Sequence, residues 1–225
     1  MIYLELTLTN GGDYMTFQRA RTQEQIDERK KEIIAACRQL YIAGGYDSIT
    51  MEKISNITSI SRASLYNYFA TKEEIVLELL QECYIDVGNT LKTEFDNHKS
   101  MSKKEFCDVV ARILSEQELF LSIKSIHLLA LENNCSQEKV DKIKLNRMPF
   151  FKTLHNGVKK FFPNINQTQE NEFVILMTAL INGLYPITHL TDKQREALKK
   201  ANPNYIPPKF YDIFKRGLYA LMYDF

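Results

Sequence analysis

At 225 residues, with 44% hydrophobic and 25% charged residues, the chain holds one large domain or two smaller ones and has the make-up of a soluble globular protein. It has no apolar run long enough to span a bilayer, and its four scattered cysteines, Cys37, Cys83, Cys107 and Cys135, show no metal-binding spacing and read as reduced cytoplasmic thiols. The net charge of +1 is uneven: residues 17–72 carry nine Lys and Arg against six Asp and Glu, while residues 73–225 balance.

Residues 1–14 fit nothing that follows. Ile2, Leu4, Leu6 and Leu8 alternate as in a strand, but no second strand pattern exists for them to pair with. Gly11-Gly12-Asp13 can be encoded by a strong bacterial ribosome-binding sequence just ahead of a Met codon. Translation is therefore expected to start at Met15, with residues 1–14 an overextension. A signal peptide is disfavoured, because the basic start and continuous apolar core are missing. Arg19 and Arg21 close this arm (residues 1–21) and read as solvated.

A first helix is predicted over residues 23–43. Thr22 and Gln25 form a capping box, Ile26, Ile33, Cys37 and Leu40 mark its buried face, and Gly44-Gly45 stops it. Residues 50–72, TMEKISNITSISRASLYNYFATK, read as two short helices and the cap of a further one. Ile54 and Ile57 share a face of the first, and Leu65 and Phe69 share a face of the second. Ser61 opens the second helix by accepting backbone N–H bonds. Arg62, Ala63, Ser64, Asn67 and Tyr68 are left mostly outward. A short exposed helix with small residues, one Arg and one amide suits a DNA major groove. On spacing alone, a surface helical hairpin explains it equally well.

Thr71 and Glu74 form a second capping box, and Ile75, Leu79, Cys83, Val87, Leu91 and Phe95 carry the fourth helix to about Asn97. Lys72 in its first turn, together with the positive helix terminus, suits a phosphate. Only helices follow. Residues 103–115 give one. Residues 119–131 give another, apolar almost all round and hence expected to be buried. Residues 137–162 are bent or restarted by Pro149, and residues 167–189 are very apolar. A short helix over 193–200, the loop NPNYIPP and a last helix over 208–223 complete the chain. No hydrolase, nucleotide-binding or paired acid–base signature is present, so an enzyme has no residues to stand on.

The run GGYDSITMEKISNITSISRASLYNYFATKEEIV resembles the DNA-binding domain of TetR-family transcriptional regulators. The resemblance covers roughly residues 24–80 without a gap, through Gly45-Tyr46, Thr50, Ile54, Ser61, Leu65-Tyr66, Tyr68-Phe69 and Lys72-Glu73-Glu74. The chain departs from the family at Ser59, where Gly is usual, at Ser55, where Ala is usual, and at Asn67-Tyr68. The resemblance implies an all-α, two-domain homodimer. A helix-turn-helix head over residues 22–72 would be joined through the long fourth helix to an effector-binding and dimerisation domain over residues 73–225. Thr50, Ser61, Tyr66 and Lys72 would hold phosphate, and Arg62, Ala63, Ser64, Asn67 and Tyr68 would face bases of a near-palindromic operator. The dimer is expected around residues 173–185 and 210–222, with Gly183 allowing close approach and Leu218 in the contact. A small apolar effector is expected between the fourth helix and the helices carrying His127, Phe151 and His155, although such residues are more often core. Gly88 is the expected weak point of the fourth helix. The expected role is a repressor released by that effector, without cofactor or metal. The alternatives are a DNA binder without effector and a helical protein-interaction module.

Overall fold

The computed structural model describes residues 22–223, and all regular structure within them is helical. The arm, the Met15 start and the two arginines of the arm lie outside the described residues. Helix α1 (Gln23–Gly44) starts at the expected box: Thr22 Oγ1 accepts from the Gln25 N–H, and the Gln25 side chain reaches back. It ends at Gly45, whose φ of 68° and ψ of −169° fall in a region open essentially to glycine alone. Thr50 caps α2 (Met51–Asn56), and Ser61 caps α3 (Arg62–Leu65). Ile33, Cys37, Ile49, Ile54, Ile60, Leu65 and Phe69 form the core of this head. Ile57 does not join them. Helix α2 has ended before it, so it sits in the turn, 45% exposed, and Ile60 takes the buried place.

Helix α4 (Lys72–Asn97) leaves the head and becomes the spine of the body. Thr71 caps it, but the box is only half formed. The nearly buried Glu74 carboxylate accepts from the Ala70 N–H instead of returning to Thr71. Six helices pack around or beyond it: α5 (Lys103–Ser115), α6 (Glu118–Ile126), α7 (Gln137–Asn146), α8 (Met148–Phe161), α9 (Gln167–Thr188) and α11 (Phe210–Leu221), with the exposed α10 (Asp192–Ala201) between the last two. Pro149 restarts the chain as α8, because its missing N–H costs nothing in a first helical turn. Helix α8 lies along α4, α6 along α9, and α11 against both α5 and α9. Phe95, Phe106 and Phe161 meet ring to ring where α4, α5 and α8 converge. Each such buried side chain contributes roughly 1.5–3 kcal/mol.

Two expectations for the body change. Gly88 is not a weak point: it is buried where α8 crosses α4, with the Phe150 Cα 3.5 Å from where a Cβ would stand. The apolar stretch after α6 is not buried throughout. It widens into a π-helical turn (His127–Leu131), followed by a 3₁₀ turn (Glu132–Asn134), and this register leaves Leu129 83% exposed.

Candidate functional site

The head presents α3 on a surface of its own. Arg62, Ala63 and Asn67 are exposed, Tyr66 is half exposed, and Leu65 and Phe69 anchor the element from behind. Ser61 Oγ accepts from the Ser64 N–H and donates to Ser64 Oγ at 2.9 Å, so these two hydroxyls serve each other as well as the outside. Thr50 is exposed beside them, its hydroxyl accepting from the Lys53 N–H. Tyr68 is half buried against the core and offers less of its ring than Tyr66. Lys72 holds its ammonium 4.2 Å from the centre of the Tyr46 ring, while the Tyr46 hydroxyl donates to Glu73 at 2.6 Å. The cation is thereby fixed in the first turn of α4, where the helix N-terminus adds partial positive charge.

The turn between α2 and α3 is held from α1. Glu32 accepts from both the N–H and the hydroxyl of Ser59, and Arg29 pairs with Glu32 at 3.0 Å and donates to Ser59 Oγ. Burial alone would raise the Glu32 carboxyl, but the Ser59 bonds and Arg29 outweigh it and hold it below its ordinary value. Ser59 thus does with its side chain what a glycine at this turn cannot. The clamp joins residues 27 and 30 positions apart, so no local pattern announces it.

His127, Phe151 and His155 meet in one cleft of about 510 Å³ in the body. Its walls come from α6 and the π turn, from α8, and from α9. No α4 residue lines it, contrary to expectation; α4 stands one layer behind, where Tyr84 Oη accepts from Lys124 Nζ at 3.1 Å. Leu128, Met148, Phe151, Val174 and Ile175 make the lining largely apolar. His127 Nδ1 donates to the Lys124 carbonyl at 2.6 Å, which fixes the tautomer, since a carbonyl only accepts. Burial, aided by the Lys124 charge, pushes the His127 imidazole down to about 4, so it is neutral at pH 7. His155 Nδ1 lies 2.7 Å from a buried Glu170 oxygen whose partner oxygen faces Lys159 at 3.2 Å.

Lys124 is the residue that sequence reasoning missed. It is 1% exposed, and burial, together with the Arg147 and Lys144 charges, pushes it down to about 7. Its signal was a single lysine inside the apolar run LFLSIKSIHLLAL. Arg147, also in the lining, stacks its guanidinium 5.4 Å from the Phe151 ring.

The segment that borders the cleft also touches the head. Asn134, at the end of the turns that begin with His127, accepts through its carbonyl from Thr71 Oγ1 at 3.3 Å. Lys139 of α7 lies over the Phe69 ring at 5.2 Å, and Tyr41 of α1 bonds Ser122 of α6 at 2.9 Å. Leu176, Ala179, Gly183 and Ile187 of α9 form an exposed stripe at helical spacing. A Cβ on Gly183 would meet nothing within 4 Å. Tyr219 and Tyr223 are exposed on α11 or just beyond it, whereas Phe210, Phe214, Leu218 and Met222 turn inward. Leu218 is therefore core of this chain and not an external contact.

A family model described as bacterial regulatory proteins, tetR family, matches residues 33–79. A second, described as tetracyclin repressor-like, C-terminal domain, matches residues 78–222. The chain is 27% identical over 100 residues to the uncharacterized HTH-type transcriptional regulator YuxN of Bacillus subtilis, a match covering 43% of this chain and 34% of YuxN. The chain thus spans about a third of that relative's length. It is 24% identical over 157 residues to IcaR of Staphylococcus epidermidis, a negative transcriptional regulator of the biofilm operon icaADBC, covering 69% of this chain and 82% of IcaR. The fold is shared with Thermus thermophilus FadR, a TetR-family repressor solved with lauroyl-CoA, at a TM-score of 0.58 and 14% identity over 86% of this chain and 93% of that one. The second family model alone covers more than half of the chain, and the helix-turn-helix head lies where the first one matches. The chain belongs to the TetR family of bacterial transcriptional regulators, DNA-binding proteins rather than enzymes.

Proposed function

We propose that this protein is a homodimeric repressor that holds a near-palindromic operator and is released from it by a small molecule in the cleft. Residues 22–72 act as the DNA-reading unit and residues 73–225 as the effector and dimer unit. Thr50, Ser61, Tyr66 and Lys72 grip phosphate, and Arg62, Ala63, Ser64, Asn67 and Tyr68 face the bases or their adjoining backbone. IcaR, a negative regulator, and FadR, a repressor solved with a ligand, support this reading by analogy.

The observation that carries it is the continuity of one segment. His127 and Leu128 line the cleft, and seven residues after His127 the Asn134 carbonyl takes the hydrogen bond of Thr71, the cap of α4 at the head. A π turn is a wide, easily repacked conformation, so a ligand beside it has a direct mechanical route to the head. Two heads must meet half-sites centred roughly 34–36 Å apart, or a multiple of that, at the same time. A ligand that favours the misfit arrangement by about 3 kcal/mol lowers operator affinity more than about a hundredfold. The dimer forms through the exposed α9 stripe and the tyrosines of α11, where Gly183 admits close backbone approach.

The test is fluorescence anisotropy with a labelled duplex from the chain's own upstream region, alongside a thermal-shift ligand screen. Tight, salt-sensitive binding that is relieved by a stabilising compound is expected. A compound that fills the cleft yet leaves operator affinity unchanged defeats the release mechanism.

A further inference from the structure

The charges around the cleft are unequal. Its two nearest carboxylates are already taken: Glu132 by Lys144 at 2.6 Å and 2.7 Å, and Glu170 by His155 and Lys159. Lys124 and Arg147 line the same cleft, and among the described residues neither has a carboxylate within ion-pair distance. Lys124 is buried, and among the described residues its ammonium meets a neutral phenol, donating to Tyr84 Oη and lying 5.5 Å from the centre of that ring. An ammonium carries three donors, so two remain to be satisfied. A buried cation without a counter-charge is costly, and an apolar residue of the same length would remove that cost. Lys124 nonetheless belongs to the wall of the cleft, its ammonium drawn back onto Tyr84 just behind that wall.

We propose that the cleft takes an organic anion, a carboxylate or comparable oxygen-acid on an apolar body, with its charged end between Lys124 and Arg147 and its body along Phe151, Met148 and Val174. This rests on the reading of the cleft as the effector site and names the effector's class. An incoming carboxylate supplies the missing counter-charge, and charge-assisted hydrogen bonds are about twice as strong as neutral ones. Phe151 stacks under the guanidinium and orients it. An amine of the same shape meets two like charges, and an amide can accept a hydrogen bond but brings no counter-charge.

The experiment uses two matched triads: octanoate, octanamide and octylamine; phenylbutyrate, phenylbutanamide and phenylbutylamine. Each is titrated calorimetrically into the full chain, into Lys124→Met and into Arg147→Gln. In at least one triad the carboxylate is expected to bind about tenfold or more tighter than its amide, with the amine weakest. Lys124→Met, which removes a buried charge and keeps an apolar stem, should remain folded and bind carboxylate no better than amide. Arg147→Gln should weaken carboxylate and spare amide. The inference is overturned if amide or amine equals the carboxylate, if Lys124→Met retains the preference, or if none of the six binds. Operator anisotropy is read on the same samples. Carboxylates that bind through Lys124 without releasing DNA uphold the anion site and sink the effector role; neutral compounds that bind and release DNA do the reverse.

Discussion

Phe95 on α4 and Gly157 on α8 are fitted to each other: a Cβ at Gly157 would stand 2.6 Å from Cδ2 of the Phe95 ring, a separation real Cβ atoms do not show. Phe95 also stacks on Phe106 and meets Phe161 edge-on, so its ring has nowhere to retreat. Gly157→Ala should therefore destabilise the chain by about 1–3 kcal/mol through overpacking. Phe95→Leu in the same chain should recover part of the loss, giving a non-additive double mutant in urea unfolding. An additive pair would mean that the two helices part elsewhere.

On the DNA side, Lys72→Ala should weaken binding to every duplex alike. It should also make the salt dependence shallower by about one charge per subunit. Arg62→Ala should cost roughly 1–3 kcal/mol and relax sequence choice if its guanidinium reads a base. Glu32→Ala removes the acceptor for the Ser59 N–H and hydroxyl. It should impair operator binding without touching DNA, and a variant with unchanged anisotropy would show that the turn holds without its clamp.

The α9 stripe gives a cleaner probe of self-association than the inward face of α11. Gly183→Glu places a carboxylate on an open surface of the subunit, so sedimentation should report a folded monomer. Leu218→Glu should instead unfold the chain, because it buries an unpaired charge at a position with no exposure. A folded, dimeric Gly183→Glu variant would move the interface off α9.

The contribution of Lys124 to stability should rise with pH, whereas the four thiols, pushed up by burial, oppose it above about pH 9. The unfolded chain keeps the Lys124 proton up to about the ordinary 10.5, whereas the folded chain releases it above about 7. Between those values the unfolded state holds this proton and the folded state does not, so for this group raising the pH favours the fold. Lys124→Met removes the cost, which is fully present below about pH 7. Its unfolding temperature should exceed that of the parent there, and the gap should close as pH approaches 10.5. His127 acts similarly at lower pH: neutral in the fold down to about 4 against an ordinary 6.5, it loses stability on acidification through that interval.

The parts of the fold written in local chemistry were legible in the sequence. Thr22, Ser61 and Thr71 each cap the helix they were expected to open, because a cap is decided within three residues. Pro149 restarts a helix for the same kind of reason. What escaped depends on distant partners. The Glu32–Ser59 clamp spans 27 positions, and the inward turn of Leu218 comes with the packing of α11 against α5 and α9. His127, Phe151 and His155 were placed together, but beside α9 and not α4, since apolar spacing gives a face and not its neighbour. Lys124 was hidden because hydrophobic periodicity counts a lone lysine as noise.

Helix α9 carries Asn171, Val174, Thr178 and Asn182 toward the cleft and Leu176, Ala179, Gly183 and Ile187 toward the outside, on the same turns. A rigid rod with two working faces cannot shift for one and stay still for the other. If the outer face is where two subunits join, mass action ties the two events together, and each must change the other by the same factor. The amount of protein in the cell then becomes a setting of the sensor: diluting the chain alters how much ligand is needed to fill it.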